Sequence, residues 1–127
     1  MSDQYTTQEE PLAPDAQHTE GGTEKLGGES FCGVAAAVAV LGDAWTLLLV
    51  RDLADKPRRF TALQASTGIS PRVLTDRLHK MMDEGLVTRR IYAEIPPRVE
   101  YALTQKGRDA VAVVAALRAY GERWLRP

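Results

Sequence analysis

The sequence predicts a mainly α-helical domain with one small β-hairpin, and three stretches carry that prediction. Residues 70–86, SPRVLTDRLHKMMDEGL, repeat apolar side chains three and four positions apart, the spacing of a helix with one buried stripe. A shorter helical segment lies just upstream, joined to it through Thr67-Gly68-Ile69. Downstream the period drops to two, in two runs separated by a proline pair, which is the pattern of an antiparallel hairpin. Two short helices joined by a glycine-containing turn and followed by a basic hairpin make a winged helix-turn-helix.

Length and composition set the outer limits. A chain of 127 residues holds one domain with room for a tail, and 44% apolar residues is enough for a packed core. No run approaches the roughly 18 uninterrupted apolar residues that span a bilayer. The start of the chain has neither the basic nor the apolar part of a secretory leader. A cytoplasmic location with no membrane partner is therefore expected. The single cysteine excludes an internal disulfide and offers no metal cluster.

The formal net charge of −1 averages two unlike regions. Residues 1–30 hold seven acids (Asp3, Glu9, Glu10, Asp15, Glu20, Glu24, Glu29) against Lys25, a net of −6. Residues 56–98 hold nine bases (Lys56, Arg58, Arg59, Arg72, Arg77, Lys80, Arg89, Arg90, Arg98) against Asp76, Asp83, Glu84 and Glu94, a net of +5. A phosphate backbone meets the local field rather than the average. The alternative for these charges is an ordinary solvated surface.

Residues 1–29 are rich in Gln, Glu, Thr, Gly and Pro and show neither period, so they predict a disordered acidic arm. The folded domain is expected over 30–127. Phe31 to Leu41, FCGVAAAVAVL, predicts a small buried helix. Gly42 ends it and Asp43 caps the next, Ala44 to Leu53, with Trp45, Leu48 and Leu49 on its buried face. Trp45 reads as a core anchor, with a ligand-pocket wall as the alternative. After Asp55-Lys56-Pro57, Thr61 is the expected cap of a short helix through Ala65.

Ser70 is a good cap for the central helix, and Pro71 follows where its missing N–H is no loss. Leu74, Leu78 and Met81 or Met82 form its apolar stripe, and Gly85 can supply the left-handed stop. Val87, Arg89 and Ile91 alternate with Thr88, Arg90 and Tyr92; Val99, Tyr101 and Leu103 alternate with Glu100 and Ala102. A hairpin alone is marginal in water, so one face must lean on the helices. Thr104 is the expected cap of a last helix whose stripe is Val111, Val114, Leu117, Tyr120 and Trp124, bent or ended at Gly121. That stripe exceeds what so small a core needs. Val114, Leu117, Tyr120 and Trp124 are therefore read as a homodimer interface, with intrachain packing as the alternative.

Chemistry of other kinds finds little support. His18 and His79 fall in unrelated segments, and no glycine-rich phosphate loop lies between a strand and a helix. No acid pair is set in a cleft by its spacing. The expectation is no enzyme, no metal and no cofactor. Cys32, near a helix start where a thiolate gains from the local dipole, is a candidate redox sensor; a small buried apolar residue is the alternative.

From about Cys32 to Trp124 the chain resembles the HxlR-type transcriptional regulators, winged-helix relatives of the MarR group. The resemblance rests on GDAWTLLLVRDL from Gly42, PRRF from Pro57, GISPRVLTDRL from Gly68, EGLVTR from Glu84 and PPRVEYALTQKG from Pro96. It implies a homodimeric DNA-binding regulator with the terminal helices at the dimer core and the helix from Ser70 in the major groove. In some members of that family a cysteine at the position matched by Cys32 acts in redox or electrophile sensing, and with no second cysteine here only an adduct or a bridge between protomers is open. The long acidic arm departs from the family pattern.

Ser70, Arg72, Thr75, Arg77 and His79 are the expected groove-facing residues. Arg72 is the best base reader, since a guanidinium can bind guanine through two hydrogen bonds. Arg58, Arg59, Lys80, Arg89, Arg90 and Arg98 are the expected phosphate contacts. For Arg77 and His79 an intrachain partner is the competing use. The expected partner is double-stranded DNA bearing an inverted repeat, with a small-molecule or oxidant effector. The runner-up is a protein-interaction module in which the bases are only soluble surface.

Overall fold

The computed structural model describes residues 30–127; the arm expected over 1–29 lies outside the described residues. Six helices and one hairpin follow in order. They are α1 (Gly33–Leu41), α2 (Ala44–Leu53), α3 (Phe60–Thr67), α4 (Pro71–Asp83), β1 (Val87–Tyr92), β2 (Arg98–Leu103), α5 (Gln105–Asp109) and α6 (Val111–Trp124). The winged helix-turn-helix is present as expected.

Local chemistry sets most boundaries. Asp43 caps α2 by accepting from the Thr46 amide at 3.0 Å, and Ser70 caps α4 by accepting from the Val73 amide at 3.3 Å. Pro71 takes the first position of α4, where no intrahelical donor is lost. Gly68 and Gly85 end α3 and α4 with φ of 77° and 78°, a left-handed geometry that a Cβ opposes. At Gly85 the chain closes with paired bonds, Leu86 N–H to Met81 O and Gly85 N–H to Met82 O, so α4 passes directly into β1.

The core lies between α2, α3, α4 and the inner end of the hairpin. Leu49, Leu63, Leu74, Leu78, Met81, Leu86 and Val87 are all buried, and each large side chain contributes about 1.5–3 kcal/mol by leaving water. A cap contributes about 1 kcal/mol, so burial holds these helices together and caps set where they begin. The strands pair antiparallel from Val87↔Leu103 to Tyr92↔Arg98. Val87, Thr88, Ala102 and Leu103 are buried, whereas Arg89, Arg90 and Ile91 are exposed. The hairpin is rooted in the core and its outer half projects. Arg58 and Tyr101 exchange backbone hydrogen bonds at 2.9 and 2.8 Å, which ties the segment after α2 to β2.

Four expectations need correction. The α1 helix forms, but it is not buried: Val34 and Val38 are exposed, and only Val40 and Leu41 pack against the core. Its alanines and valines favour the helix, but their apolarity does not place them in this chain's core. The α3 helix starts at Phe60 from Arg59, without a side-chain cap, rather than from Thr61. Thr104 caps a separate short helix, accepting from the Gly107 amide at 3.1 Å, and α6 begins after Ala110. Nor does Gly121 stop α6, which continues to Trp124.

Gly107 marks the tightest crossing in this region. A Cβ there would collide with the Leu86 carbonyl oxygen and lie 3.0 Å from Leu103 Cδ2. Gly107→Ala should therefore lower stability by about 1–3 kcal/mol, measured as a lower denaturant midpoint with an unchanged slope. An unshifted midpoint would show that α5 is free to move away.

Candidate nucleic-acid interface

The α4 helix has two chemically distinct sides. Leu74, Leu78 and Met81 are buried, while Arg72, Thr75, Asp76, His79, Lys80 and Asp83 are exposed. Residues 72, 75 and 79 fall within an arc of about 60° at 3.6 residues per turn. An arginine, a hydroxyl and an imidazole thus share one solvent-facing strip. The Thr75 hydroxyl donates back to the Pro71 carbonyl at 2.9 Å, which leaves its oxygen as an acceptor. Ser70, exposed at the helix start, uses its oxygen on the Val73 amide and keeps its O–H to donate.

The eleven residues expected to meet DNA divide into two groups. Arg59, Arg72, His79, Lys80, Arg89 and Arg90 are exposed, and their side chains form no ion pair with another described residue. Ser70 and Thr75 join them on the exposed surface. Arg89 and Arg90 are adjacent on one strand and so point to opposite faces of the wing.

Arg58, Arg77 and Arg98 have ion-pair partners within the protein, unlike the other eight. The Arg58 Nε donates to the Asp52 carbonyl at 2.8 Å and its terminal nitrogen lies 3.4 Å from Asp55. Arg98 stacks its guanidinium 4.2 Å from the centre of the Tyr92 ring. It also sits between Glu94 at 3.2 Å and Glu100 at 3.7 Å. Arg77 Nε donates to Asp43 Oδ2 at 2.9 Å.

That Asp43 oxygen is crowded with donors, taking the Thr46 hydroxyl at 3.2 Å as well as the Thr46 amide. Burial pushes the carboxyl pKa up. The Thr46 amide, the Arg77 charge and the two side-chain hydrogen bonds outweigh that and hold it below its ordinary value of 3.8.

Sequence reasoning could not find the Asp43–Arg77 contact, which joins residues 34 positions apart and leaves no local pattern. Among the described residues no group of three His, Cys, Asp or Glu is placed to share a metal. No single described helix is long and apolar enough to cross a membrane.

The HxlR-like helix-turn-helix family pattern matches residues 40–127, which takes in α2 through α6 with the whole of the wing. The chain belongs to the HxlR family of transcriptional regulators. Two similar relatives are helix-turn-helix-type transcriptional regulators. One, from Synechocystis, is 39% identical over 96 residues, covering 75% of this chain and 71% of its own length. The other, from Methanothermobacter thermautotrophicus, is 36% identical over 97 residues, covering 76% and 74%. Among solved structures, the redox regulator HypR in its oxidized form matches with a TM-score of 0.70 at 31% identity, over 76% of this chain and 100% of that one. The reduced form of the transcriptional regulator YodB from B. subtilis matches with a TM-score of 0.65 at 30% identity, over 76% and 97%. In this HxlR-family chain the family match begins at Val40, so Cys32 and most of α1 stand before it.

The lowered Asp43 pKa has a definite sign. Below 3.8 the unfolded chain binds a proton at Asp43 that the folded chain still excludes, so stability falls as pH drops through this window. Asp43→Asn keeps a capping side chain and removes the charge. At neutral pH it should cost less than about 1 kcal/mol, since the pair is partly solvated. The gap between the two proteins should close as pH falls below 3.8. Paired urea melts across pH check this; a gap that is constant with pH would rule the charge out as its source.

Proposed function

We propose that this regulator acts as a homodimer on an inverted repeat in duplex DNA, with α4 as the element that enters the major groove. One observation carries the reading: the polar strip of α4 is left in solvent while its opposite side is locked in the core. Two such helices related by a two-fold axis reach successive grooves about 34–36 Å apart. Arg72 reads a base edge, with Ser70, Thr75 and His79 beside it. Arg59, Lys80, Arg89 and Arg90 neutralise phosphates, and Arg58, Arg77 and Arg98 support the framework instead.

Exposed apolar surface supports the dimer. Leu117, Tyr120 and Trp124 on α6 are 50–63% exposed, and Phe31, Val34 and Val38 at α1 are 60–84% exposed. Val114, the fourth residue of the expected interface, is instead half-buried and packs against its own core with Val111. A patch of this kind at both ends of a small domain is characteristic of an interface.

The effector reading is an oxidant acting at Cys32. Its Sγ accepts from the Ala35 amide at 3.5 Å at the start of α1, on the same apolar end that would face the partner. With one cysteine per chain, the product is an adduct or a bridge between protomers. The similarity to HypR, a redox regulator, favours an oxidant over a small apolar ligand.

Two measurements follow. In gel shifts with the DNA flanking its own gene and with random duplex, Arg72→Ala should narrow the gap between the two affinities by about 1–3 kcal/mol. Arg59→Ala should weaken both alike and lower the salt slope by about one. A wild-type chain with no preference for the flanking DNA overturns the regulator reading. In sedimentation, Leu117→Glu should halve the mass of the wild-type species while leaving its helical circular dichroism intact. A wild-type monomer at micromolar concentration overturns the dimer.

A further inference from the structure

Arg77 lies on the DNA-facing helix but on a different side from its neighbours. At 3.6 residues per turn it sits about 140° around the axis from Arg72, and it is half-buried where Arg72 is exposed. Its guanidinium reaches Asp43 Oδ2, the oxygen that caps α2. A single carboxylate oxygen therefore fixes the start of one helix and the middle of another.

We propose that Asp43 and Arg77 are a positioning pair that sets the rotation of α4, and that Arg77 does not itself touch DNA. The proposal rests on α4 being the groove-entering helix. The apolar side of α4 is held by Leu74, Leu78 and Met81, and burial of this kind is not directional. It fixes how deeply the helix sits and leaves small rotations and slides cheap. A charge-assisted hydrogen bond to a rigid helix cap is directional and selects one of those rotations. Side-chain tips on α4 lie about 5–6 Å from its axis, so a small turn of the helix displaces Arg72, Thr75 and His79 together. A pair that is partly open to solvent contributes little to global stability, and its use is in registration.

The test takes the full chain with Asp43→Asn, Arg77→Gln and the double variant, on a duplex from the flanking DNA and a random duplex of equal length. Each single change should weaken binding to the flanking duplex by about two- to tenfold. The double variant should be no worse than either single one. The salt slope should stay constant, because no phosphate contact is lost. Backbone amide exchange in the free protein should quicken along α4 in all three variants.

Binding by Asp43→Asn that equals or exceeds wild type, with a reduced salt slope for Arg77→Gln, overturns the proposal and makes Arg77 a phosphate contact. Additive losses in the double variant overturn it as well. If the wild-type chain binds neither duplex, the DNA-binding reading fails separately. The pair is then judged on the free protein, where α4 exchange unchanged by Asp43→Asn overturns it and faster exchange sustains it.

Discussion

The burial of one side of α4 is the constraint on which the rest of this molecule depends. Leu74, Leu78 and Met81 lie in the same core as Leu49, Leu63 and Val87. Hydrophobic burial is the largest favourable contribution here, so no cheap rearrangement turns that side outward. The polar strip is consequently presented to solvent by the packing of the opposite side. Presentation follows from packing, and chemistry at the surface is free to vary without loss of the fold.

Charge in this domain has two uses that a count of bases does not separate. The Arg58 side chain braces the turn after α2 through the Asp52 carbonyl and Asp55, and Arg98 stiffens the outer end of the wing through the Tyr92 ring and two carboxylates. Arg72, Lys80, Arg89 and Arg90 remain in water with no internal partner among the described residues. The net of +5 over residues 56–98 thus overstates the field available to a polyanion. Three of the nine bases already have partners within the protein, among them the carboxylates of Asp43, Asp55 and Glu100, which lie outside that window.

Most of the fold was legible because its signals are local. Ser70-Pro71 and the positive-φ glycines at 68 and 85 act within a few residues. The leucine spacing of α4 and the alternation of the wing do the same. What the sequence does not show is non-local or depends on which apolar surface the fold leaves uncovered. Nothing near Arg77 reveals Asp43, and nothing near Arg98 distinguishes a stacked guanidinium from a free one. The apolar run of α1 has the composition of a core segment, and composition alone does not separate surface covered by the same chain from surface left open. The surplus on α6 was recognised because its stripe runs on past what the core can cover, and Val111 and Val114 mark where that cover ends.

The helix α1 packs on the core through Val40 and Leu41 and offers Phe31, Val34 and Val38 to the surroundings. On the homodimer proposed here, those side chains are covered only when a second copy is at hand, so shape depends on abundance. At low copy number that apolar surface would stay bare, and at high copy number a second copy would cover it. Dosage then belongs to the architecture of this regulator as much as any residue does.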